Sequence, residues 1–376
     1  MSYFHDDDCN LDDFRALCNR TLKQDSVPFA TEVHKNIPIY DADKVTAENR
    51  RGYMAEWARN LLSGSGVIVL KNACRDHAAI DRASDVFATI IAEEKAAGSG
   101  AGDHFAKSGA NDRIWNSLQK LGEKSPETFA HYFANPCIDW LCESWLGPNY
   151  QMTAQLNLVH PGGAAQSAHR DYHLGFQKPE AAAQYPAHVH ELSASLTLQG
   201  AIAHLDIPIE SGATKLLPFS QNYPAGYLAF HRTDFREYFE GNYIQLPLSK
   251  GDAVFFNPAL FHAAGENRTS HVHRMVNLLQ VSSAFGRAME SVNRPELCRK
   301  LYPVLQTGHF SPEECRAIIA ASAEGYAFPT NLDSDPPIGG NAPESMADLM
   351  HRALDKAMTA EEFNTVLEVA STRRQA

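Results

Sequence analysis

Six short β-type runs crowd the stretch between residues 151 and 282, and they constrain the fold more than any other feature of the chain. They cover 151–159, 192–203, 215–218, 243–247, 253–258 and 272–282. Turn clusters such as His160-Pro161-Gly162-Gly163, Glu210-Ser211-Gly212 and Gly265-Glu266-Asn267 separate them. Many short strands punctuated by Gly, Pro and Asn predict a sandwich or barrel. On either side the apolar spacing turns helical. Helices are expected over 11–22, 44–63, 77–95, 111–121, 125–146 (broken at Pro136), 311–323 and 345–369. Residues 66–70 (GVIVL) read as a buried strand. Segments 96–102 and 328–343 are too rich in Gly and Pro for regular structure. The expected fold is mainly β with helical buttresses, an α+β arrangement in a single domain, 1–376. Its helical N-terminal part spans about 1–150, its β core about 151–285 and its helical extension about 286–376.

Charge narrows the function. The 376 residues carry 33 Lys+Arg against 45 Asp+Glu, a net charge of −12, and no basic run. That argues against nucleic acid or an anionic membrane surface as a partner. No apolar run approaches the roughly 20 residues of a membrane span. The segment Met1–Asn10 (MSYFHDDDCN) is acidic where a secretory signal needs positive and apolar stretches. Seven cysteines without CxxC spacing read as reduced thiols, so a cytoplasmic setting is expected. Seventeen histidines make metal or acid–base chemistry the question to pursue.

In an extended segment, residues i and i+2 share a face, so His169 and Asp171 point together while Arg170 points away. An imidazole beside a carboxylate supplies two of the three ligands of a 2-His-1-carboxylate iron site. His173 shares the parity, but four residues of strand span about 13 Å, and it joins them only if the chain bends sharply. His262, delivered at the end of GDAVFFNPALFH (251–262), is the better third ligand. Twelve residues on, Arg274 lies in a run, 272–281, with no plainly solvent face. A buried arginine demands an anion, and a carboxylate clamp is its strongest pairing.

His169-x-Asp171, His262 and Arg274 together resemble the phytanoyl-CoA dioxygenase-like branch of the Fe(II)/2-oxoglutarate-dependent oxygenases. Three flanking segments are similar as well: GVIVLKNA (66–73), ESGATKLLPFSQ (210–221) and GDAVFFNPALFHAAGEN (251–267). The likeness covers roughly 66–281. Phe219 and Gln221 stand where the family has Gly and His, and Ala264 where a Ser is common. The resemblance implies a double-stranded β-helix, or jelly roll. It also implies Fe(II) on His169, Asp171 and His262, with 2-oxoglutarate on Arg274 supported by Thr214, and O2 as oxidant. The carboxylate Asp171 implies hydroxylation, desaturation, ring closure or demethylation rather than halogenation. No basic cluster is evident for phosphates, so the expected substrate is a free small molecule.

Other residues take plainer readings. Gln155 and Asn157 share a parity and point either into the barrel, toward substrate, or outward. Ser193, Ser195, Thr197 and Gln199 read as the polar face of a half-solvated strand, although a polar barrel interior would show the same alternation. His188 and His190 are expected in an exposed loop. His271 and His273 are opposite in parity to Arg274 and face a helix or solvent. Segments 96–105 and 328–343 are candidate lids. Two further functions fit the triad: a cupin-type metal dioxygenase without 2-oxoglutarate, and a non-enzymatic metal-binding sensor. Arg274 counts against the first and the intact ligand set against the second. Oligomeric state is not legible.

Overall fold

The computed structural model describes residues 3–98 and 110–374. The segment 96–105 therefore lies largely outside the described residues. Ten strands follow in chain order: β1 (Glu32–His34), β2 (Ile37–Asp41), β3 (Val67–Lys71), β4 (Asn111–Ile114), β5 (Gln151–Val159), β6 (Thr197–Ala203), β7 (Lys215–Leu216), β8 (Ala253–Phe256), β9 (His262–Ala263) and β10 (Arg274–Ser282). Eight of them form one sheet in the order β1-β2-β3-β8-β6-β10-β5-β4. Every pairing in it is antiparallel except β2 with β3. A two-stranded sheet, β7–β9, stands apart. The fold is mixed α+β, with a large, mostly antiparallel sheet and many helices. Among the described residues no helix is long and apolar enough to cross a membrane.

Strand β10 shows why its sequence lacks a solvent face. Side chains alternate across a strand, and here both sides are occupied. Leu279 and Val281 join the main core with Leu198, Phe255 and Ile68, against helices that include Arg50–Ser63, Pro126–Phe133 and Pro136–Leu146. Burying each such aliphatic side chain contributes about 1.5–3 kcal/mol. Arg274, Val276, Leu278 and Gln280 face the other way, into a cavity. In that helical layer Trp140 is buried, and Trp145 Nε1 donates to the Thr197 carbonyl at 2.9 Å.

Several elements differ from expectation. Residues 111–121 are not one helix. They begin as β4, which pairs with the exposed edge of β5, and turn at Asn116 (φ 51°) into the helix Ser117–Lys124. A sheet edge in need of a partner has overridden local propensity. The run 192–203 splits into the helix Ala187–Ser195 and strand β6, because the Leu/Ser alternation fits either period. His190 is consequently buried on that helix and not in an exposed loop. The run 243–247 is reduced to a single bridge at Ile244, and a helix, Thr233–Asn242, interrupts the β region. The last helix is two, Met346–Asp355 and Ala360–Arg373, each opened by its own capping box. Four of the eight sheet strands come from the first 150 residues. Segment 328–343 has no helix or strand.

At Phe219 the backbone adopts φ 70°, a left-handed conformation suited to the glycine of the resembling family. The strain costs about 1–2 kcal/mol, but the ring is buried and lies under the Arg20 guanidinium at 5.0 Å. Losing a buried phenyl costs about 3–5 kcal/mol, so packing wins over strain. Phe219→Gly should lower stability by about 2 kcal/mol in chemical denaturation; an increase would mean that the strain dominates.

His204, just after β6, closes a buried chain of hydrogen bonds. Asn277 Nδ2 donates to the Tyr132 hydroxyl (3.2 Å), which lies 2.8 Å from His204 Nε2. His204 Nδ1 lies 2.8 Å from Ser84 Oγ, which donates to the Ile80 carbonyl. Each proton is accounted for only when the imidazole is neutral. Burial, with Lys250 nearby, pushes its pKa from the ordinary 6.5 to about 3. The unfolded chain therefore binds the extra proton, and the stability this supports is complete above pH 6.5 and lost as pH falls toward 3. His204→Gln should flatten the fall of unfolding free energy between pH 6 and 4. An unchanged slope would show that the acid sensitivity lies elsewhere.

Candidate active site

Residue 169 meets residue 262 through its backbone. His169 N donates to the His262 carbonyl (3.0 Å) and His262 N to that of His169 (3.2 Å). Asp171 N donates to the Pro258 carbonyl at 3.0 Å, which holds the other end of the His-x-Asp segment. The two imidazoles face each other at 4.4 Å between centroids. His262 Nε2 lies 3.2 Å from one Asp171 oxygen, and His169 Nε2 lies 3.6 Å from the other. Both Nδ1 atoms are spoken for, by the Ser167 carbonyl (2.9 Å) and the Leu260 carbonyl (2.8 Å). An Nδ1–H donated to a carbonyl leaves each Nε2 with its lone pair free.

The three donor atoms lie within 4.8 Å of one another. Donors held about 2 Å from one ion sit at most about 4 Å apart, and the His–Asp separations of 3.2 and 3.6 Å fall inside that limit. Two imidazole nitrogens and one carboxylate match the donor chemistry of non-haem iron. Charge agrees. Burial alone would raise the Asp171 pKa, but His169, His262 and a hydrogen bond from Gln199 hold it down at about 2. Burial and the neighbouring His262 lower that of His169. Asp171 is the anion of the set.

This triad lines a cavity of about 520 Å³ between the eight-stranded sheet and the β7–β9 pair. Arg274 lies on its floor, opposite Val159 of β5, 4% exposed, with its Nε sealed and unpartnered. It has no ion pair or hydrogen bond among the described residues. Burial, then Arg113, lowers its pKa to about 10. Asn267 fixes the turn before it, donating to the carbonyls of Val159 (3.2 Å) and Val272 (2.8 Å). Thr214 lines the same cavity. The turn leading to it needs Gly212 (φ 87°), because a Cβ there would meet the Gly265 carbonyl oxygen at 2.4 Å.

Gln155 and Asn157 both project into the cavity, which settles the sequence's open alternative. Gln199 does so too, beside Asp171, whereas Ser193 and Ser195 lie on the preceding helix with Ser195 exposed, so only the strand end of the polar alternation reaches the interior. Ala264 also lines the space. Arg170 turns away from the triad, donating to the Ser220 (2.6 Å) and Tyr223 (3.1 Å) carbonyls. The chain does bend sharply after Asp171, with φ 62° at Tyr172 and 42° at His173. The bend carries His173 away from the triad, toward the Arg287 and Ser193 backbone. His271 and His273 are exposed. Arg113, Trp115, Phe176, His231 and Arg236 complete the walls from distant segments that carry no motif.

Residues 62–276 match the family model described as phytanoyl-CoA dioxygenase (PhyH). No curated protein matches the chain. Among solved structures, the non-heme alpha ketoglutarate dependent epimerase SnoN from nogalamycin biosynthesis is 17% identical, covering 62% of this chain and 82% of its own at TM-score 0.44. AviO1 from Streptomyces viridochromogenes Tue57 is 16% identical, covering 65% and 100% at TM-score 0.45. The carbocyclase SnoK, also from nogalamycin biosynthesis, is 17% identical, covering 69% and 92% at TM-score 0.42.

A buried, unpartnered guanidinium is a burden on the ligand-free fold. Arg274→Met should therefore raise the melting temperature of the ligand-free protein by a few degrees, corresponding to about 1 kcal/mol or more. A lower melting temperature would show that Arg274 is needed for packing.

Proposed function

Because the chain belongs to the phytanoyl-CoA dioxygenase family, and so is an Fe(II)- and 2-oxoglutarate-dependent enzyme, we propose that His169, Asp171 and His262 hold the iron and that Arg274 receives the distal carboxylate of the co-substrate. The observation that carries this reading is the meeting, in one cavity, of an N,N,O donor set with a buried arginine that lacks an anion. With O2, the bound groups supply oxidative decarboxylation of 2-oxoglutarate to succinate and CO2, coupled to oxidation of a substrate C–H bond. The reaction is hydroxylation of a small molecule, in keeping with a carboxylate at Asp171.

The chain's own groups orient and shield. The Ser167 and Leu260 carbonyls fix the imidazoles with Nε2 inward. Gln199 steadies the Asp171 carboxylate, and Thr214 supports the co-substrate beside Arg274. Gln155 and Asn157 present carboxamides to substrate from the cavity floor. The β7–β9 pair opposite the large sheet supports a double-stranded β-helix within a single catalytic domain. Seven unpaired thiols support a reducing, cytoplasmic setting.

Anaerobic protein given Fe(II) and then 2-oxoglutarate should develop the weak visible charge-transfer absorption of the chelate. 2-Oxoglutarate should also raise the melting temperature of the metal-loaded wild type, and Arg274→Met should lose most of that rise. Iron-loaded protein without the absorption would instead point to a dioxygenase that does not use 2-oxoglutarate.

A further inference from the structure

The cavity's charge is out of balance. Among the described residues lining it are four arginines, Arg113, Arg170, Arg236 and Arg274, against one carboxylate, Asp171. Three of the four have other tasks. Arg170 is spent on backbone carbonyls and lies over the Tyr227 and Phe261 rings. Arg113 donates to Gln155 Oε1 at 3.0 Å and sits over Trp115. Arg274 is assigned above to the co-substrate. Metal and co-substrate then cancel, as +2 against −2, and positive charge remains in the cavity. A low-dielectric space with that balance selects an anion.

Arg236, on the helix Thr233–Asn242, is the guanidinium left over. Its Nε donates to the Phe230 carbonyl at 2.9 Å, which fixes the plane of the group. Both Nη groups are without hydrogen-bond or ion-pair partners among the described residues. A guanidinium held in this way is a preformed two-donor fork for a carboxylate. Beside it, His231 has a sealed Nε2 without a close partner; burial and Arg236 both lower its pKa, which keeps it a neutral imidazole. Phe230 and Phe176 form aromatic wall next to the pair, and Phe176 is 53% exposed, which marks this as the cavity's mouth. The occupant must also be small, because about 520 Å³ has to hold co-substrate and substrate together.

We propose that Arg236, with His231 beside it, binds the carboxylate of the primary substrate, which is a small organic acid whose apolar body lies along Phe176 and Phe230. The assignment of Arg236 rests on the oxygenase reading, since that reading gives Arg274 to the co-substrate.

Calorimetry with a plain probe series tests this: phenylacetate, 3-phenylpropionate, 4-phenylbutyrate and octanoate, each beside its primary amide, with phenyl phosphate as a further arm. The protein is loaded anaerobically with Fe(II) and 2-oxoglutarate, and the chelate absorption is followed in parallel. At least one acid should bind about tenfold tighter than its amide, the scale of a charge-assisted hydrogen-bonded pair, while the chelate absorption persists. Arg236→Gln should erase that preference, and Arg236→Lys should keep part of it, since the charge remains without the fork. The proposal is overturned if no acid outbinds its amide, if the preference survives in Arg236→Gln, or if acids bind only by displacing 2-oxoglutarate. Tighter binding of phenyl phosphate than of every carboxylate would overturn the carboxylate assignment. A wild type without the chelate absorption sinks the oxygenase reading separately; the acid series can still be measured on metal-free protein.

Discussion

Two backbone hydrogen bonds, exchanged between His169 and His262, hold together residues 93 positions apart. Everything chemical in the cavity depends on that exchange. It sets the facing imidazoles, and with the Asp171–Pro258 bond it fixes the carboxylate between them. The three candidate donors are thus positioned by main chain, which cannot rotate away, and the two imidazoles need only be aimed by the carbonyls on their Nδ1 atoms. A donor set built this way is in place before any ion arrives.

Arg274 stands in tension with that order. A buried cation with no partner costs stability, and natural folds rarely keep one without a use. The fold keeps it by clamping the preceding turn with Asn267 and by pairing β10 on both sides, with β5 and β6. The rest of the chain is acidic, so the positive cavity is a local exception to a net charge of −12.

The site was legible in the sequence where chemistry follows a short period or a short turn. His169-x-Asp171 could be read from strand parity, and the double-faced run 272–281 pointed to a buried arginine. What escaped was assembled from far apart. Arg113, Arg170, Arg236 and Arg274 make no basic run, yet the topology lines one cavity with all four. Strand β4 looked helical because the reason for its extension is the edge of β5, which no local window contains. The strand-like 192–203 is ambiguous in itself, since a Leu/Ser alternation is compatible with both periods, and only packing chooses the helix for its first four residues.

Asn277 shows how far the site reaches into the rest of the protein. Its carboxamide donates to the Tyr132 hydroxyl and accepts from Ser117 Oγ (3.3 Å), locking β10 against the helical layer. Side chains alternate strictly along a strand, so sliding β10 by one residue would turn Arg274 toward the helices and swing Met275 and Asn277 into the cavity. The amide therefore serves as a register key: a group on the far side of the sheet, touching no ligand, that decides which side chains the ligands meet. Selection for a well-packed helical buttress is, through this one strand, also selection for a correctly addressed pocket.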